Sequence, residues 1–153
     1  MNNDAVACLW MGGEGELFRE TLPLAVLELA EPEDEADVGA VLRESDEEIA
    51  LDAGQVVPLG YLDPLTTITG FRVTPVVAVI DPDYVPRPDP DEVDEVFEVP
   101  FEFLMAPSNL RQVQVQYNGR PRHLLEYDWP DHRIWGATAA ILYNLRRRLE
   151  QAG

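Results

Sequence analysis

Arg43-Glu44-Ser45-Asp46-Glu47-Glu48-Ile49-Ala50-Leu51 is the stretch on which the reading of this chain turns. Upstream of it, Asp34 and Asp37 are suited to N-cap a helix, because their carboxylates can accept from the free backbone N–H groups of a first turn. Val38, Val41, Leu42 and Ile49 follow at helical spacing, with Ser45 on the same stripe, and predict one buried face of a helix that runs to about Leu51. At about 100° per residue, Glu44, Glu47 and Glu48 share a side opposite Val38, Val41 and Ile49. Like charges three and four residues apart repel by a few tenths of a kcal/mol per pair. A helix selected for stability alone would set a Lys or Arg among them. Converging carboxylates instead suit a hard cation such as Mg²⁺, which is held by one or two carboxylates together with substrate phosphates. Arg43 stands four residues before Glu47 and can pair with it. The competing reading is a solvated acidic face on an acidic protein.

The rest of the chain is acidic to match. Twenty-nine Asp and Glu stand against 11 Lys and Arg in 153 residues, a formal net charge of −18 and a pI near 4.2. Nine carboxylates lie between Glu31 and Glu48, and eight between Asp81 and Glu98. Nucleic acid and anionic membrane surfaces are excluded as partners, since both need clustered cations. The 46% hydrophobic content argues for a folded chain, and one of this length can bury roughly 70% of its unfolded surface. Cys8 is the only cysteine, so neither a disulfide framework nor a Cys-rich zinc site is expected. No apolar run reaches membrane-spanning length, and Ala5–Met11 follows Asp4 rather than a basic residue, which makes a poor signal peptide. A cytoplasmic protein is expected. Arg146-Arg147-Arg148, the one basic run, fits the last turn of a helix.

Residues 1–14 lack periodicity and are expected to fray, while Leu17–Ala30 is apolar and fits a strand or a helix, with Pro23 against either. Gln55–Leu62 reads as a strand, Thr66–Gly70 as a turn, and Phe71–Ile80 as a central strand covered on both faces. The proline-rich Asp81–Asp91 is a loop. Val93–Val99 is a short strand or extended piece, and Phe101–Met105 forms one or two helical turns. Gln112–Tyr117 and Arg122–Tyr127 flank Asn118-Gly119, the strongest hairpin signal in the chain. Ile134–Leu149 is a terminal amphipathic helix. Gly136 and its small neighbours suggest close approach to the sheet. These elements predict an α/β fold, a mixed sheet packed between helices.

The quoted stretch resembles the Nudix hydrolase box, Gly-x5-Glu-x7-Arg-Glu-U-x-Glu-Glu-x-Gly-U, where U is a bulky aliphatic residue. Glu35 lies eight residues before Arg43, and Glu44, Glu47, Glu48 and Leu51 match. Leu29 replaces the first Gly, Ser45 the aliphatic residue, and Ala50 the second Gly. Thr69-Gly70-Phe71-Arg72-Val73-Thr74-Pro75-Val76-Val77 is similar to the strand after the box in the coenzyme A diphosphatase branch. Glu92-Val93-Asp94-Glu95-Val96-Phe97-Glu98-Val99-Pro100 is similar to its downstream acidic segment, and Ile134-Trp135-Gly136-Ala137-Thr138-Ala139 to the start of its last helix. The resemblance covers about residues 31–150.

It implies a Nudix-like α/β/α sandwich over residues 31–153 and hydrolysis of a nucleotidyl diphosphate such as coenzyme A, with Mg²⁺ or Mn²⁺. Carried onto this chain, Glu44 and Glu48 would be the principal metal ligands. Glu47 would be a further ligand or the base that activates water, Arg43 would orient the glutamates, and Glu92 or Glu95 would add a carboxylate. His123 and His132 have no metal-ligand spacing to each other, and Tyr127 and Trp135 read as core or pocket wall. The branch also carries Gly-Gln-x-x-Phe-Pro-Gly-Gly ahead of the box, where this chain has Leu22-Pro23-Leu24-Ala25-Val26-Leu27-Glu28-Leu29-Ala30. Residues 1–30 are therefore expected to be an atypical, truncated or disordered segment. So abrupt a break also fits a shifted reading frame or a misplaced start. The implied alternative to an enzyme is a catalytically impaired remnant of the fold that binds metal or nucleotide.

Overall fold

The structure, a computed structural model, describes residues 8–11, 24–31, 38–66, 70, 72–91 and 96–153. The chain divides into two compact units, Met1–Pro100 and Phe101–Gly153.

The first unit is built around β5, Arg72–Ile80. Its Val-rich run leaves both faces buried: Val76, Ala78 and Ile80 on one, Val73, Pro75 and Val77 on the other. β1 (Cys8–Met11) pairs with β2 (Leu24–Glu31), and β2 pairs along its whole length with β5. On the other edge of β5 lie β3 (Val56–Tyr61) and the short β4 (Leu65–Thr66). Cys8–Met11 is thus a paired strand where fraying was expected, and the boundary expected at residue 30 falls inside β2. Register slips between Pro58 and Gly60, so the proline, which has no N–H to give, sits at an irregularity of an outer strand.

The α/β class is as expected, but the sheet differs from the mixed one anticipated. Every described pairing is antiparallel. The reason is topological. β2 and β3, joined through α1 (Val38–Ile49), both run antiparallel to β5, and β5 lies between them. The two strands that share a direction therefore never touch.

The stripe on α1 buries as its spacing predicts: Val41 and Ser45 are 0% exposed and Ile49 2%. With Leu51, Val56, Val76, Ala78, Ile80 and Tyr84 these apolar side chains form the core. Full burial of each large one is worth roughly 1.5–3 kcal/mol. Asp34 and Asp37, the expected caps, lie outside the described residues, as do Thr67–Thr69 of the expected turn.

In the second unit, α2 (Phe101–Met105) precedes β6 (Leu110–Tyr117) and β7 (Arg120–Trp129). Asn118 and Gly119 turn between these strands at φ 50° and 72°, as a two-residue hairpin of this twist requires. β7 runs on to Trp129, so Tyr127-Asp128-Trp129 is strand and the turn is Pro130-Asp131. β8 (His132–Trp135) then pairs back on β7 before α3 (Gly136–Ala152) begins. Ile134 is accordingly strand rather than the first turn of the last helix. The switch is made by Gly136 at φ 65°, and a Cβ there would meet nothing within 4 Å. Its glycine serves backbone conformation, in place of the close packing expected. Ala139, Ile141, Leu142 and Leu145 bury one face of α3. No described helix is long and apolar enough to cross a membrane.

Candidate functional site

The last two turns of α1 hold the predicted chemistry. Glu44, Asp46, Glu47 and Glu48 gather there, and the last turn has no basic residue. The carbonyl end of a helix carries a partial negative charge, so anions there destabilise it. This arrangement works against helix stability twice over, through the dipole and through mutual repulsion.

The structure redistributes the side chains relative to the expectation. Glu47 is exposed, but Glu48 is half-buried rather than opposite the apolar stripe. It lies seven residues, about two turns, after Val41, which puts it at the border of the buried face. Glu44 occupies the backbone position one turn before Glu48, and its side chain lies outside what is described. Arg43 is exposed, and among the described residues it makes no ion pair with Glu47. Glu92 and Glu95 lie outside the described residues. Those that are described include no group of three or more Asp, Glu, His or Cys placed to hold an ion.

Two of the three departures from the box, Ser45 and Ala50, have local structural consequences. Ser45, in the aliphatic position, is fully buried and its Oγ donates to the Val41 carbonyl at 2.8 Å, the usual way a hydroxyl is satisfied inside a helix. Ala50, in the glycine position, sits at φ 57° in the left-handed region, where a Cβ is strained. Its N–H donates to the Asp46 carbonyl at 3.0 Å and closes the helix with a left-handed cap.

Beyond that cap, the Asp81–Asp91 loop folds back onto α1. The Tyr84 hydroxyl and the Arg87 N–H both donate to the Ile49 carbonyl, at 2.7 and 3.1 Å, and the Asp89 N–H donates to the Glu48 carbonyl at 2.7 Å. A cleft of about 290 Å³ opens here, lined by Ala50, Gln55, Asp83, Tyr84, Val85 and Arg87. Of the candidate metal ligands, the described Glu47 and Glu48 do not line it. The sequence reading missed this loop contact. Its one signal was an aromatic, Tyr84, in an otherwise charged and proline-rich run.

The second unit carries a different electrostatic feature. Glu126 has a side chain 5% exposed and is held by Arg133 and by Arg111, the latter at 2.6 Å. The Arg133 hydrogen bond, then that of Arg111, hold its carboxyl below the usual glutamate value, against desolvation. Tyr127 is fully buried, and burial pushes its hydroxyl up, offset by the charge of Arg146. Tyr127 is thus core, one of the two places, core or pocket wall, that the sequence allowed it. Trp135 is 49% exposed, with the Arg133 guanidinium 4.7 Å over its ring. His123 is exposed on β7, and the His132 ring nitrogen Nδ1 lies 3.1 Å from the Pro130 carbonyl. In the arginine run, Arg146 and Arg147 pair with Glu150 at 3.5 and 3.1 Å, inside α3.

No family model matches the chain. Among curated proteins it is similar to an uncharacterized Nudix hydrolase, NudL, of Photorhabdus laumondii subsp. laumondii, with 32% identity over 122 residues, 80% of this chain and 65% of that protein. The NudL proteins of Salmonella paratyphi B and Escherichia coli K12 are 38% and 33% identical over 109 and 112 residues. Those matches take in 71% and 73% of this chain but 56% and 58% of the relatives. The chain therefore spans between about half and two thirds of the length of these relatives. They support a place for it in the Nudix superfamily.

Proposed function

We propose that this chain, a homologue of Nudix hydrolases, is a divalent-metal-dependent hydrolase of nucleotidyl diphosphates, with coenzyme A or an acyl derivative as substrate. One observation carries the reading. An Arg-Glu-x-x-Glu-Glu run occupies the carbonyl end of α1, where four carboxylates oppose the helix dipole with no cation in the last turn. A cation would relieve that cost, and carboxylate oxygens are the donors that Mg²⁺ and Mn²⁺ favour. Glu44 and Glu48 are the principal ligands in this reading, and the half-burial of Glu48 beside the core gives one of them a fixed base. Glu47, exposed, is free to take the proton of the attacking water or to add a ligand. Arg43 orients the glutamates, and Glu92 or Glu95 supplies a further carboxylate. When bound, the cation neutralises charge on the diphosphate and lowers the pKa of bound water. Water then adds to phosphorus as the bridging P–O bond breaks and the leaving phosphate departs.

A second reading, a catalytically impaired fold that retains metal or nucleotide binding, is favoured by one feature. Leu24–Glu31 pairs residue for residue with β5, where the family has a glycine-rich turn. Positioning can supply roughly 7–11 kcal/mol of a barrier, so losing that turn would slow hydrolysis by orders of magnitude.

Calorimetry with Mn²⁺ should show binding that disappears in Glu44→Gln/Glu48→Gln. Coenzyme A with excess Mg²⁺ should release 3′,5′-ADP. Binding that persists in the double variant rejects the site. Binding without release selects the second reading, and a variant grafted with Gly-Gln-x-x-Phe-Pro-Gly-Gly and its preceding strands should then recover turnover.

A further inference from the structure

The last turn of α1 ought to fray. Three of its four final residues are acidic, the helix dipole opposes them, and the carbonyls of a final turn have no partner within the helix. In this protein two of those carbonyls are claimed from outside, and the segment that claims them has a specific sequence logic. In Pro86-Arg87-Pro88-Asp89-Pro90 three residues lack an N–H, and the two that remain are the two that donate to α1, Arg87 to Ile49 and Asp89 to Glu48. Residues two apart in an extended chain point the same way, and the flanking prolines hold φ near the extended value before any contact forms. Tyr84 adds the third bond. Its hydroxyl reaches the Ile49 carbonyl at 2.7 Å from a ring that is 5% exposed in the core beside Val41 and Leu51.

We propose that Tyr84 and the Pro86–Pro90 segment form a preorganised clamp that holds the carbonyl end of α1 helical, and so positions Glu48 for metal. Tyr84 is a positioning residue, since it acts on Glu48 through the backbone of Ile49 and Glu48. The inference rests on the metal-site reading above. It adds the element that keeps a charged, dipole-opposed turn in shape when no cation is present to do so. In sequence, the same loop is followed after Asp91 by Glu92 and Glu95.

The test is Mn²⁺ affinity, by calorimetry on the full chain, in variants whose circular dichroism matches the parent. Tyr84→Phe keeps the ring and removes the hydrogen bond, and should raise Kd about three- to tenfold, the worth of one such bond. Arg87→Pro removes the N–H and should do the same, whereas Arg87→Ala, which keeps it, should stay within about twofold. A purely structural role would lower melting temperature and leave the Kd of the folded protein unchanged. Unchanged Kd in both Tyr84→Phe and Arg87→Pro, with binding intact in the parent, overturns the clamp. A parent that binds no Mn²⁺, or binds it equally in Glu44→Gln/Glu48→Gln, overturns the metal reading itself, and is recognised before any loop variant is measured.

Discussion

Ala50→Gly is a change at a single methyl whose sign follows from one dihedral angle. Ala50 holds φ at 57° to close α1, a conformation that costs an L-residue roughly 1–2 kcal/mol and glycine almost nothing. Glycine in turn loses roughly 0.4–1 kcal/mol through the greater freedom of its unfolded chain. Ala50 is half-buried, so about half the value of one buried methyl group, ~0.4 kcal/mol, is also lost. Taking the middle of each range, Ala50→Gly is expected to stabilise by about 0.4 kcal/mol. Ala140→Gly, inside α3, supplies the reference, because the same chemical change in a helix interior costs about 1 kcal/mol. The two variants should therefore differ by about 1.4 kcal/mol, or roughly 3–6 °C in melting temperature for a chain of this size. Thermal unfolding followed by circular dichroism under identical buffer reads that difference. Equal losses in both variants would refute the left-handed cap and with it the structural reason for a glycine at this place in the box.

Gly136→Ala should cost about 1–2 kcal/mol through its left-handed φ, although its Cβ meets no neighbour, and the β-branched Gly136→Val should cost more. An alanine variant with the parent's melting temperature would refute the left-handed switch at this position. Glu126 titrates below the usual value near 4.5, so its contribution to stability is present above that value and is lost as pH falls through the lower, folded-state value. Melting temperatures of the parent and Glu126→Gln should thus differ most near neutral pH and converge in acid, and a gap that widens in acid would contradict the Arg111 and Arg133 contacts.

Where periodicity is strong and local, the sequence by itself determined the outcome. The stripe from Val38 to Ile49 can bury only as a helix, and Phe71–Ile80 has too few polar residues to be anything but a covered strand. Asn118-Gly119 is legible because few residue pairs accept two successive positive φ angles. The cluster of Glu44, Glu47 and Glu48 was legible as a charge pattern that helix stability disfavours. Only tertiary structure decided the rest. Ile134 fits a helical stripe as well as a strand, and four residues are too few to separate the two periods, so pairing of β8 with β7 settled it. The antiparallel sheet depended on β5 entering between β2 and β3, a long-range choice that no local pattern encodes. The grip of Tyr84, Arg87 and Asp89 on the end of α1 likewise joins residues some 35 to 40 positions apart. A carbonyl that every residue carries has no sequence signature, and its partner becomes visible only when the chain has brought the two together.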